Sequence, residues 1–360
     1  MKILLSACSV VAGLLVGGII LKLSGISALE AYRVMWEGAV SKPQYVAYII
    51  IRSTPLILTG LSVAFAFRTG LFNIGSEGQF IIGALSAAFF GYKFHFDPII
   101  QIPLIIFLAT FFSGFYGGIA GYLKARFGVH EVISTIMLNW IALYFSNYCV
   151  FFKGLHRPDT ETTEFIQNSS SITLFEQWKE SESGLAWLEQ HEFWQHFLRP
   201  PVNLGIFLAI LAVIIIWFIL NKTTFGFNLK AVGLSPEASR YAGINVEKKI
   251  TQSMMISGAL SGLAGATHVL WVSKNIAILA AHEGYGFDGI AVSLIGSNTP
   301  FGSLIAGFFL GALKYSGQKI QSALEAPSEV ISIMIGSIIF FIAIPALFEK
   351  FLSLIGRKKI

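Results

Sequence analysis

The side chains of this 360-residue chain with most chemistry to offer are carboxylates and carboxamides set inside long apolar runs. Glu77 stands in the segment NIGSEGQ, residues 73–79, together with Asn73 and Gln79. An ionised carboxylate at membrane depth is costly unless it faces protein, water or a cation. Glu77 therefore either caps the helix that follows it, where the N-terminal end of the helix dipole favours an anion, or helps to shape a passage. Asn139 and Asn147 lie eight residues apart, roughly two helical turns, and share a helix face. Such a face either bonds a neighbouring helix or lines a passage. Asp288 either caps a short helix after it or touches a substrate, and His268 is a further polar group in the same half of the chain.

Other chemistries are poorly supplied. The chain has no Gly-Lys dipeptide, so it lacks the P-loop that cradles a nucleotide's phosphates, and ATP cannot be hydrolysed here by that device. His191 and His196 in HEFWQH are five residues apart, whereas a zinc-protease helix needs four; the extra 100° turns one ligand away, and no metal site is expected. Cys8 and Cys149 have no CxxC or Cys/His spacing, so neither a disulfide nor a metal is expected. Residues 5–8, LSAC, faintly resemble a lipoprotein processing site, but the apolar run continues past Cys8 and a retained first helix is expected. An enzyme embedded in the membrane would need clustered acid, base or metal groups, and none is found. Nothing points to nucleic acid.

The elements that must position these residues are membrane helices. The chain is 54% hydrophobic and 12% charged, about half the roughly 25% charge of soluble domains. Runs without Asp, Glu, Lys or Arg cover residues 3–21, 53–67, 78–92, 98–123, 132–152, 202–220, 250–273, 289–313 and 330–348. Most approach the roughly 20 residues a spanning helix needs, and continuous apolarity favours helices over barrel strands. The fold class expected is an all-α polytopic bundle, a single transmembrane domain over residues 1–360.

Sidedness follows from positive charge in short loops. Lys124 and Arg126, the stretch 221–250 with Lys222, Lys230, Arg240, Lys248 and Lys249, and the terminal Arg357, Lys358 and Lys359 are placed inside, with Arg68 as a weaker signal. Residues 153–201 hold eight acidic against four basic residues and are placed outside. That insertion contains Trp178, Trp187 and Trp194, and is expected to form amphipathic helices on the membrane surface or against a binding protein. Segments near 3–23, 45–67, 75–92, 98–121, 130–152, 202–220, 251–273, 286–296, 301–319 and 329–349 satisfy the charges, with a break at the turn-rich 296–302. That makes about ten membrane segments with both termini cytoplasmic; segment 286–296 either spans or re-enters.

Residues 60–79, GLSVAFAFRTGLFNIGSEGQ, resemble the signature of permease subunits of ABC importers for simple sugars and nucleosides, the ribose and branched-chain type. Residues 131–139 (EVISTIMLN), 231–244 (AVGLSPEASRYAGI) and 284–294 (GYGFDGIAVSL) are similar to further blocks of that family, in the same order. The stretches GYGFD and HEVIST look closer to the nucleoside branch. By itself, the block at 231–244 reads as a capped cytoplasmic helix, with Ser235 as cap, Pro236 at the first position and Glu237 in the first turn. The resemblance implies that this is the coupling helix that docks on an ATPase, assigning that role to Gly233, Leu234, Ser235, Pro236, Glu237, Ala238, Arg240, Tyr241 and Gly243. Asn73, Glu77, Gln79, Asn139, Asn147 and Asp288 are candidates for the translocation pathway as polar groups within or beside apolar runs.

The function implied is a permease subunit in the cytoplasmic membrane, importing a nucleoside or simple sugar and hydrolysing nothing itself. The implied partners are an ABC ATPase subunit carrying ATP and Mg, a second homologous permease, an extracytoplasmic substrate-binding lipoprotein and membrane lipid, with no cofactor on this chain. The alternative is an ion- or proton-coupled secondary transporter, for which Glu77 and Asp288 are the candidate coupling groups.

Overall fold

A computed structural model describes residues 2–170 and 176–343. Among these the chain is helical, and pairing of extended backbone is confined to isolated bridges, His156 with Thr163 and Thr162 with Ala277. Two compact units result, one from residues 1–49 and 309–360, the other from residues 50–308.

In the first unit, α1 (Lys2–Leu23) is followed by α2 (Ala28–Val40), and the two are bent by 118°. No helix is expected from the sequence over 28–40; α2 forms because Ser27 caps it, accepting from the Glu30 N–H, and Arg33 pairs with Glu37 one turn on. α2 exposes Leu29 and Trp36 and buries Ala31 and Gly38, the pattern of a helix lying along a surface. Here too lie the start of α3 (Pro43–Phe67), the end of α15 (Pro300–Leu324), and α16 (Ser328–Ala343), which packs on α1. Tyr48 stacks on Tyr315 with ring centroids 5.4 Å apart. The remainder of the last expected segment, and Arg357, Lys358 and Lys359, lie outside the described residues.

The second unit holds the rest of α3, then α4 (Ser76–Lys93), α5 (Pro98–Phe127), α6 (Glu131–Val150), the short α7 (Glu176–Glu180), α8 (Glu182–Gln190) and α9 (Glu192–Leu198), α10 (Gly205–Lys222), α11 (Thr224–Leu234), α12 (Pro236–Tyr241), α13 (Val246–His268), α14 (Tyr285–Ile295) and the start of α15 (Pro300–Leu324). A π-helical turn, Val269–Ser273, extends α13. Among the described residues each expected segment carries a helix, and α2 and α11 are additional. Among the described residues, Pro43–Phe67, Pro98–Phe127, Gly205–Lys222 and Val246–Ser273 are long and apolar enough to be membrane spans, four in all, or five if the bent pair of α1 and α2 counts as one.

α13 is the hub, packed along α5 and α4. Close approach is what its small residues permit: a Cβ on Gly83 of α4 would sit 2.4 Å from the Gly262 Cα, and one on Gly258 3.1 Å from the Gly117 Cα of α5. In lipid, where apolar burial does not drive helices together, such backbone contact and interhelical hydrogen bonds supply the association. The break between α14 and α15 falls where the turn residues predict it. Ser297 and Asn298 both take left-handed φ (54° and 53°), and the Ser293 hydroxyl bonds Asn298 Oδ1 at 2.8 Å.

Candidate functional site

The polar residues of segment 73–79 converge on a seam between α3, α4, α5 and α13. Asn73 Nδ2 donates to Gln79 Oε1 and to Ser257 Oγ, both at 2.8 Å. Ser257 Oγ lies 2.9 Å from Ser62 Oγ, and Ser261 Oγ reaches Ser62 Oγ at 2.8 Å and Ser76 Oγ at 2.7 Å. Ser113 of α5 donates to the carbonyls of Gln79 (2.6 Å) and Gly258 (2.8 Å). Asn139 completes the set from α6, its Oδ1 accepting from Gly78 N–H at 2.8 Å and its Nδ2 donating to Ile74 O at 3.0 Å. All of these side chains are buried. Asn139, which could bond a neighbouring helix or line a passage, bonds backbone at and just before the start of α4, while Asn73 and Gln79 bond each other and Asn73 reaches Ser257 of α13. The serines Ser253, Ser257 and Ser261, spaced four apart, were not singled out in the sequence; the signal that marks them is that spacing, one face of α13, with Ser253 also bonding Thr69 at 2.8 Å.

Glu77 is fully buried and its carboxylate caps a helix, though not its own. Its Oε1 accepts from Gly284 N–H at 2.8 Å and its Oε2 from Gly286 N–H at 2.6 Å, both at the start of α14. α14 has no side-chain cap from its own sequence, and Gly284 takes a left-handed φ of 90° to enter it. The unsatisfied amides and the positive end of the dipole hold the anion, and the anion satisfies the amides. The approach requires glycine, since a Cβ on Gly286 would sit 2.1 Å from the Glu77 backbone N.

Asn147, by contrast, does not bond a helix. It pairs with the connecting segment after α13, donating to Leu279 O and accepting from Leu279 N–H, each at 2.9 Å. That segment is also stitched to the insertion: Thr163 N–H donates to Ile276 O at 2.8 Å and Ile278 N–H to Glu161 O at 2.9 Å. Asp288 lies in the first turn of α14, partly exposed. His268 ends α13 with its ring centroid 5.2 Å from that of Tyr285.

The segment 231–244 forms the capped helix expected of it. Ser235 Oγ accepts from Ala238 N–H at 3.3 Å, Pro236 stands at the first position of α12, and Gly243 leaves it with φ 80°. Arg240 turns back to pair with Glu247 at 2.5 Å, so its charge is engaged within the chain. Leu234 and Tyr241 instead project outward, 89% and 95% exposed. Behind the helix, Gly233 rests on the turn after α3, where a Cβ would meet Arg68 O at 2.5 Å. Arg68 Nε in turn donates to Asn298 O at 2.9 Å, in the break after α14.

Residues 45–343 match the family described as branched-chain amino acid transport system / permease component. The chain is 42% identical to the guanosine ABC transporter permease protein NupP of Bacillus subtilis, over 95% of this chain and 93% of that protein. It is 35% identical to the nucleoside ABC transporter permease protein NupB of Lactococcus lactis, over 98% of this chain and 93% of that one. A second Bacillus subtilis protein, the guanosine ABC transporter permease protein NupQ, is 30% identical over 73% of this chain and 78% of its own length. No solved structure matches the chain significantly.

Proposed function

This chain belongs to the family of branched-chain amino acid transport system permease components, and from that membership we propose that it is the membrane channel subunit of an ABC importer that carries nucleosides. It is a multi-pass protein of the cytoplasmic membrane and not an enzyme. The observation that carries the choice of cargo is the 42% identity to a guanosine permease over nearly the whole of both chains.

The reading extends to the assembly. ATP and Mg bind a partner ATPase, cargo arrives on an extracytoplasmic lipoprotein, and a second, different permease completes the pore; two Bacillus subtilis proteins with the guanosine permease name, both similar to this chain, support such a pair. The domain is a single bundle over 1–360 with about ten membrane segments and cytoplasmic termini, residues 153–201 outside and 221–250 inside. α14, with 11 residues, is about 16 Å long, half a bilayer, and serves as a half-span entered from a connecting segment. Gly233 to Gly243 act as the coupling element, with Leu234 and Tyr241 as its anchors on the ATPase. Asn73, Glu77, Gln79 and Asn139 shape the passage by fixing its helices, and Asn147 and Asp288 border it.

The test is import into vesicles reconstituted with this chain, its second permease, the ATPase and the lipoprotein. Uptake of radiolabelled guanosine or another nucleoside should require ATP and survive collapse of the proton gradient. Uptake that persists without ATP hydrolysis and stops with the gradient would sink the assignment.

A further inference from the structure

The passage needs a surface that meets the cargo, and the residues assigned to the pathway from sequence are largely buried in helix contacts. A different group faces outward. Trp140 and Tyr144 of α6 stack with centroids 6.0 Å apart and planes at 23°. The His282 ring lies 4.8 Å from Trp140 and 5.6 Å from Phe287, which it meets edge-on. Trp140, Tyr144 and Phe287 are 44%, 64% and 39% exposed, and the exposed Glu283 stands beside them in sequence, with Asp288 one residue past Phe287.

Depth distinguishes this group from an aromatic belt at the membrane surface. Trp140 is the tenth of the 20 residues of α6, about 14 Å from either end, whereas belt tryptophans sit at headgroup level. The backbone that brings His282 to Trp140 is not helical; it follows the pairing of Leu279 with Asn147, near the outer end of α6, and stops at the Gly284 and Gly286 amides held by Glu77. Non-helical backbone at membrane depth is tolerated where it is buried in protein or lines a water-filled cavity. Here the side chains at its tip, Ala280, Ala281 and Glu283, are exposed. A histidine and a carboxylate at that level do not face hydrocarbon. The segment is pinned at both ends and presents its tip between them.

We propose that Trp140, Tyr144, His282 and Phe287, with the carboxylate of Glu283, form the contact surface for a nucleoside crossing the bilayer, the rings taking the base and the carboxylate accepting from the ribose hydroxyls. The inference rests on the nucleoside reading above and on α6 crossing the membrane. Flat rings suit any base, since each has a π-face, and this sequence tolerance fits a pore that must let its cargo leave. Asn147 and Glu77 are then positioning residues, holding the segment so that His282 meets Trp140.

The experiment uses the reconstituted complex with radiolabelled guanosine and, separately, a photoreactive 8-azido purine nucleoside. At equal copurified ATPase, Trp140→Leu should lower guanosine import roughly tenfold, the scale of one lost base stack, and Trp140→Phe should restore most of it. Photolabelling of the unmodified complex should fall on residues 139–148 or 280–288. If the unmodified complex imports guanosine while Trp140→Leu matches it, the contact surface is refuted and the nucleoside reading stands. A complex that imports no nucleoside defeats both. Should Trp140→Leu fail to assemble, the photolabel decides: labelling elsewhere in the chain overturns the assignment.

Discussion

Glu77 and Gly286 are 209 residues apart in sequence and joined by a 2.6 Å hydrogen bond from the glycine amide to the carboxylate. The bond ties α4 to the start of α14, so the entry of the half-length helix is fixed by a residue of another element. Glu77→Ala leaves the part-buried amide of Gly284 and the buried amide of Gly286 without their acceptor and should destabilise the protein by on the order of 3 kcal/mol. Glu77→Gln, which keeps one acceptor oxygen, should fall between. Thermal unfolding in detergent measures the order; equal midpoints for all three proteins would contradict it.

The α13 contacts leave no room for a side chain. Gly262→Ala would bring a Cβ within 2.2 Å of Ser113 Cβ and 3.0 Å of Ala109 O, and should cost about 1–3 kcal/mol through overpacking. Gly336→Ala on α16 meets nothing within 4 Å and serves as the control. Comparable losses in both would contradict this close packing of α13.

Docking on the ATPase should depend on apolar anchors more than on charge. Exposed aromatic and aliphatic side chains dominate interface energy when they enter a pocket, so Leu234→Ala and Tyr241→Ala should each weaken copurification of the ATPase by about tenfold. Arg240→Ala breaks an exposed pair with Glu247 worth about 0–1 kcal/mol and should do much less. Pull-down of the ATPase by membranes of equal permease content compares them, and an Arg240 effect larger than that of Tyr241 would reverse this ranking.

From the opposed charge bias of the two long loops we predict that they lie on opposite sides of the membrane. Cysteines at Ser183 and Ala238, both exposed positions, should react with a membrane-impermeant thiol reagent from outside and inside respectively. Ser170 would be a poor reporter because it is buried, bonded to Gly91 O at 3.0 Å. Labelling of both sites from one side contradicts the topology.

The purified chain alone should hydrolyse no ATP, with hydrolysis appearing only when the ATPase subunit is added. A phosphate-release assay on the two preparations is sufficient, and sustained turnover by the chain alone would remove it from the permease class.

Much of this was legible in one dimension, because membrane helices are local objects. A run such as 98–123 satisfies its own backbone and its own solvent, so its existence needs no partner. The cap at Ser235 and Pro236 and the break at 296–302 are likewise local, set by residues within a few positions of the bonds they make. Charge counts in the loops pointed to sidedness for the same reason. The amphipathic α2 escaped because its apolar residues are too few for a span.

What the linear sequence left open were the partners of polar groups, since these are settled by which helices lie side by side. Glu77 had two local roles on offer, a cap of α4 or a place in a passage, and the fold gave it a third, the cap of α14 across 209 positions. Asn139 and Asn147 share one helix face, yet the first bonds Gly78 and Ile74 while the second bonds Leu279, because the neighbour of that face changes along its length. The ring of Trp140 reads as one more apolar residue of a span until His282, 142 positions on, is brought against it at 4.8 Å. Periodicity and capping chemistry decide what a segment becomes; only close packing of the segments, permitted by glycines and serines on α13, decides what each buried polar group and each exposed ring can meet.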